Sequence, residues 1–133
     1  MVDMELVKDW ARRYAEAWET GDDDAILALF TPDARYRSSP FREPHLGHGG
    51  IRAYWQRAAG SQINTRVHIG EPIVSAERAC IEWWATFQEA DGQSVTLPGA
   101  LIVTLNAAGR CTDLREYWNA TIGTIDPFAG WGH

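Results

Sequence analysis

The sequence predicts an α+β domain in which three N-terminal helices lie on a bent, mainly antiparallel sheet and enclose a pocket. Three observations carry this. Helical periodicity is confined to the part of the chain before Gly60. Long strand-like segments separated by tight-turn residues fill the part after it. Seven tryptophans sit in 133 residues, and burying that many indoles needs a large aromatic core, a lined pocket or an interface.

The elements follow in order. Leu6, Val7, Trp10, Ala11, Tyr14, Ala17 and Trp18 recur at i, i+3, i+4, i+7 spacing and predict an amphipathic helix over residues 4–20 with one aromatic stripe. Gly21 supplies its C-cap, and Asp22 or Asp23 caps a short second helix that buries Ala25, Ile26, Leu29 and Phe30. Thr31-Pro32-Asp33 reads as a turn before a first strand at residues 34–38. After a Pro- and Gly-rich loop, Ile51, Tyr54, Trp55 and Ala58 predict a third helix over residues 48–59. Strands are expected at 64–75, 78–90, 94–106 and 110–121, with Asp91-Gly92 the clearest hairpin signal. Pro72 and Pro98 inside strands imply bulges or edges that bend the sheet. The tail from Asp126 to His133 is expected to wrap the surface.

Composition bounds the function. The length predicts one domain over residues 1–133. A net charge of −6 provides no basic footprint for nucleic acid, and no apolar run approaches the roughly 20 residues needed to span a bilayer. Charges occupy MVDMELVKDW, where a secretory leader would be apolar, so a cytoplasmic protein is expected. Cys80 and Cys111 lack CxxC spacing and are expected as free thiols in a reducing compartment. A disulfide between neighbouring strands is the alternative.

The segments YAEAWETGD (14–22), LFTPDA (29–34), GGIRAYW (49–55), Gly109-Arg110 and REYWN (115–119) resemble the NTF2-like superfamily, and within it the SnoaL-like, polyketide-cyclase-like group. The resemblance extends to about residue 121. It implies a cone-shaped fold whose sheet and helices enclose a cavity, and a homodimer through the outer sheet face. It does not imply one reaction, because this fold carries isomerases, cyclases, epoxide hydrolases and transport factors. The ketosteroid-isomerase branch uses a tyrosine on the first helix, an aspartate base before a proline and a protonated aspartate on the meander. Tyr14 matches the first. Ser39 and Leu101 stand at the other two positions, so that activity is not expected.

Proton transfer needs a titratable group in a dry pocket. Leu114, Glu116 and Trp118 share one strand face, and the isomerase register turns that face inward. Glu116 is therefore the first candidate acid or base. Tyr14 is a candidate hydroxyl donor to a developing oxyanion. Glu82 is a third candidate whose parity stays open: it faces inward if Trp84 and Thr86 do, and outward if Trp83, Ala85 and Phe87 face inward. Trp18, Tyr36, Trp55, His68, Trp84, Leu101 and Trp118 are the candidate ligand walls.

His45 and His48 are spaced i, i+3, yet no third ligand stands near them, so no metal is expected, and no cofactor motif appears. The expected partner is a small apolar molecule, and a carbonyl-bearing or polycyclic substrate suits a cofactor-independent isomerase, cyclase or hydrolase. A non-catalytic binding module and a dimeric interaction module are the alternatives.

Overall fold

Helix α1 spans Met4–Thr20 and α2 spans Asp23–Leu27. In the computed structural model, which describes residues 2–133, these two helices begin one continuous fold. Asp3 accepts from the Glu5 amide at the start of α1, and Gly21 closes the helix in the left-handed conformation at φ 66°. Asp22 caps α2 by accepting from the Ala25 amide at 3.0 Å. The aromatic stripe of α1 faces inward as its spacing dictates: Trp10, Tyr14 and Trp18 are buried. The Trp10 indole N–H donates to the Leu29 carbonyl at 3.0 Å, which ties α1 to the chain entering the sheet.

Strand β1 spans Phe30–Arg37, β2 His45–Leu46, and helix α3 Gly47–Ala59. The first strand thus starts earlier than the Pro-Asp turn signal implies. Phe30 pairs with Cys111, and a register irregularity between Phe30 and Arg35 absorbs the Thr31-Pro32-Asp33 segment. The remaining strands are β3 Ile63–Ile69, β4 Ile73–Ser75, β5 Arg78–Gln88, β6 Ser94–Leu105, β7 Cys111–Trp118 and β8 Thr121–Ile122. The single strand expected at 64–75 is two, because Gly70-Glu71-Pro72 interrupts it.

The sheet runs β2-β1-β7-β6-β5-β3, with β4 on β5 and β8 on β6. Among the described residues only β1 and β7 pair in parallel. Pro98 makes no bulge: β5 and β6 stay in register from Arg78↔Thr104 to Gln88↔Ser94. Its carbonyl accepts from the Asn119 amide at 3.0 Å, so its missing N–H faces the side where β7 has already ended.

The alternation of β5, β6 and β7 settles the parity. Ile81, Trp83 and Ala85, with Leu101 and Val103 on β6 and Leu114 on β7, belong to the core. Trp83 is therefore not available to an outer interface. Glu82 and Trp84 lie on the opposite face. Trp84 is buried there all the same, because the C-terminal tail crosses it. The Trp84 indole donates to the Ile125 carbonyl at 2.9 Å. The Thr96 hydroxyl donates to the Gly123 carbonyl at 2.7 Å and accepts from the Ile125 amide at 3.1 Å. The Glu71 amide donates to the Gly132 carbonyl at 2.7 Å. Cys80 and Cys111 are free thiols. Among the described residues, no helix is long and apolar enough to cross a membrane.

Candidate functional site

A cavity of about 290 Å³ opens between α1, α3 and the inner face of β5–β7. Trp18, Tyr54, Trp55, Trp83, Phe87, Leu97 and Trp118 form most of its wall, and Glu116 also faces it. The sheet register explains how a charged residue arrives there. Glu116 pairs with Leu101 on β6, and Leu101 is itself fully buried, so the Glu116 side chain leaves the sheet into the apolar layer.

Glu116 is 6% exposed. Its Oε1 accepts a 2.6 Å hydrogen bond from the Tyr36 hydroxyl. Tyr14 lies 3.3 Å from the same oxygen and 3.0 Å from the Tyr36 hydroxyl, so its one proton is shared between these two acceptors. Oε2 has no hydrogen-bond partner among the described residues and is not sealed by them, and the cavity is where it opens.

Burial pushes the Glu116 carboxyl up to about 7 from an ordinary 4.5, against the opposing pull of the Tyr36 and Tyr14 hydrogen bonds. Burial, reinforced by the Glu116 charge, holds both phenols well above their usual range, so both are neutral donors. The site is thus one carboxyl poised near neutrality, held by two phenols on one oxygen and open on the other.

Tyr54 adds a second polar group to the wall. Burial, then the Glu116 charge, raises its hydroxyl, with Ser38 acting in the opposite direction. The Ser38 Oγ is 3.0 Å from the His45 Nε2, and the His45 ring stacks on Tyr54 at 4.5 Å. Burial, then the charges of Arg57 and Arg42, lowers the His45 pKa, so its ring is neutral at pH 7. His48 instead places Nε2 at 3.0 Å from the Phe30 carbonyl. Among the described residues no group of three His, Cys, Asp or Glu side chains is arranged to hold a metal.

The structure divides the candidates named from sequence. Glu116, Trp18, Trp55 and Trp118 face the cavity. Tyr14, Tyr36 and Leu101 are fully buried one layer behind it. Tyr14 therefore reaches a ligand only through Glu116, not as a direct oxyanion donor. Glu82, Trp84 and His68 do not belong to this site. Glu82 is exposed on the outer face, Trp84 is covered there by the tail, and His68 pairs with Trp84 and is exposed. Tyr54, Trp83 and Phe87 were missed as wall residues. Tyr54 had its helical spacing as a signal, but the other two depended on the open β5 parity.

Two wall residues carry orphan donors. The indole N–H groups of Trp55 and Trp83 are buried without partners. Each indole stands edge-to-face against Trp18, at 76° and 69°, the arrangement in which a ring edge meets a π face.

Comparison with known proteins agrees with this architecture. Epoxide hydrolase LasB of Streptomyces lasalocidi is 24% identical over 96% of this chain, and the chain spans about half (52%) of that protein's length. The structure of the epoxide hydrolase/cyclase-like enzyme SalBIII, described for its role in pyran ring formation in the polyether salinomycin, superposes with a TM-score of 0.81. It is 18% identical, over 92% of this chain and 100% of that one. The Δ5-3-ketosteroid isomerase of Mycobacterium sp. superposes at 0.75 with 20% identity, over 89% of this chain and 98% of that one. The profile of the SnoaL-like domain matches residues 11–114, and the chain belongs to that family.

Proposed function

We propose that this protein is a cofactor-independent acid–base catalyst acting on a small apolar molecule that carries a proton-accepting oxygen on an electrophilic carbon. The observation that supports it is the buried carboxyl of Glu116, with one committed and one open oxygen. A group with a pKa near 7 is populated in both forms at neutral pH, which suits a general acid that must also accept a proton back. In the acid form, Glu116 Oε2–H donates to the substrate oxygen. The two phenols then donate to the carboxylate left behind and offset the cost of its charge in an apolar wall.

The LasB and SalBIII names favour an epoxide as that oxygen. A water or an internal hydroxyl attacks an epoxide carbon, the C–O bond breaks, and the oxygen takes the Glu116 proton. The attacking oxygen loses its own proton to the carboxylate, and the cycle closes without a cofactor. A carbonyl substrate uses the same two forms of Glu116 for isomerisation.

The test is turnover of apolar epoxides and β,γ-unsaturated ketones of graded size by the wild type and by Glu116→Gln. Retained activity in the variant overturns the assignment. A wild type that binds such compounds in the cavity without turning them over supports the non-catalytic binding module instead.

A homodimer across the outer sheet face belongs to the same proposal, restricted to the row Cys80–Ile102–Arg115. None of the tail's hydrogen bonds lands on that row. Sedimentation equilibrium should show a dimer that Ile102→Lys weakens, and a monomer at all concentrations refutes it.

A further inference from the structure

The outer face holds a second concavity, of about 370 Å³, between the sheet and the tail. It shares Trp118 with the inner cavity, and its other walls lie apart from that site. On the row Glu82–Ala100–Tyr117 the middle residue is small, so a trough runs between a carboxylate and a phenol ring on strands either side of it. Neighbouring strands lie about 4.8 Å apart, so the two outer side chains of the row stand roughly 10 Å apart across the trough.

The other walls are aromatic. Trp84 comes from the next row, and Phe128 and Trp131 come from the tail. Their rings meet nearly at right angles: 71° between Trp84 and Phe128 at 6.3 Å, and 77° between Trp84 and Trp131 at 5.9 Å. Trp84 thus meets both tail rings edge to face, and this aromatic corner walls one side of an open box whose other side is the Glu82–Ala100–Tyr117 row.

Glu82 is the acidic wall of that box. It is exposed, and among the described residues it has no ion-pair partner. Its charge is felt along the face, contributing after burial to the raised pKa of Cys80.

We propose that this groove binds an alkylated ammonium group. Aromatic faces attract a cation through their quadrupoles, most strongly for indole. A methylated ammonium is weakly hydrated, so it gives up little water to enter an aromatic corner, and Glu82 supplies the balancing charge. A guanidinium or primary ammonium would keep its donors in water at so open a site.

The test is a titration of the seven indole N–H resonances with choline and, in parallel, with 3,3-dimethylbutan-1-ol, its neutral isostere. Choline should shift Trp84 and Trp131 saturably, leaving Trp18, Trp55 and Trp83 of the inner cavity unmoved. The neutral alcohol lacks the attraction to the ring faces and should bind at least about tenfold more weakly. Glu82→Gln, an exposed and shape-preserving change, should weaken choline binding and leave the alcohol unaffected.

Equal shifts with the two compounds mark a merely apolar groove and overturn the proposal. So do shifts confined to the inner indoles, or choline binding undiminished by Glu82→Gln. An absence of saturable shifts to tens of millimolar, whether from an empty groove or from a second copy covering it, overturns it as well.

Discussion

The two faces of strands β5–β7 use the same residue types for different ends. Glu116 and Glu82 are both strand glutamates, each followed by two aromatics and one strand away from β6. Their β6 partners are adjacent residues, Leu101 and Ala100. Glu116 points into the apolar layer, where burial raises it to about 7. Glu82 points to solvent. Trp83 and Trp84 repeat the lesson with indoles: one lines the cavity, and the other is roofed by residues 125–131. A one-residue step along a strand decides between a buried, cavity-facing environment and a surface one.

The comparison breaks most sharply in activity. Glu116→Gln should lower turnover by about 10²–10⁴, the usual contribution of a positioned acid or base. Glu82→Gln should leave it within experimental error. Equal losses in steady-state assays would mean that face does not determine role.

The paired tryptophans test packing. Trp83→Ala leaves a void walled by rigid neighbours and should cost about 3–5 kcal/mol in denaturant unfolding. Trp84→Ala should cost about 1–3 kcal/mol, because the tail can lift instead of leaving a cavity. The inner site is also less tolerant of added bulk. A Cβ on Gly99 would collide with the Trp83 indole and meet the Tyr117 carbonyl at 2.8 Å, so this position keeps glycine for close approach rather than for turn geometry.

A smaller effect should appear in the pH dependence. Below about pH 4.5 Glu116 is protonated whether the chain is folded or not, and its burial costs nothing. As pH rises toward 7 the unfolded chain releases this proton while the folded chain keeps it, so stability falls. Above 7 the full cost is in place, about 3 kcal/mol for a shift of this size. Unfolding free energies of the wild type and Glu116→Gln, compared from pH 4 to pH 8, should diverge in that window, with the variant the flatter. Tyr36→Phe removes the 2.6 Å bond and should move the carboxyl further up, visible as a shifted midpoint in carbon NMR. Tyr14→Phe should do so less.

The outer face should respond most gently. Thr96→Val removes a donor and an acceptor for the tail and should cost about 1–2 kcal/mol. Limited proteolysis should then cut residues 123–133 first.

Much of this arrangement is legible in the sequence. The α1 stripe and its caps follow from spacing and from Gly21 and Asp22 alone. The antiparallel meander of the later strands, and the inward turn of Glu116, follow from the tight turns, the family pattern and the period of two. What stayed open was β5, because Ile81-Glu82-Trp83-Trp84 is apolar on both parities. Outward tryptophans normally argue against a face; here Trp84 is tolerated only because the tail covers it, a contact more than forty residues distant in sequence that no local pattern encodes. The Tyr36 hydrogen bond was hidden for a similar reason. It joins β1 to β7 through a parallel pairing, so a residue read as wall turns out to hold the carboxyl. The break at Gly70–Pro72 and the early start of β1 reflect partner strands rather than propensity.

The asymmetric holding of Glu116 has one more consequence. A free carboxyl turns about its Cγ–Cδ bond and presents either oxygen to either side. Here such a turn breaks the bond from Tyr36 and the contact with Tyr14 together, so the same atom keeps the same outlook through each cycle. A proton leaving Oε2 approaches its acceptor from one fixed direction. On the proposed acid–base reading the site has a handedness that its planar functional group lacks, and a prochiral guest should be converted with a preference for one face.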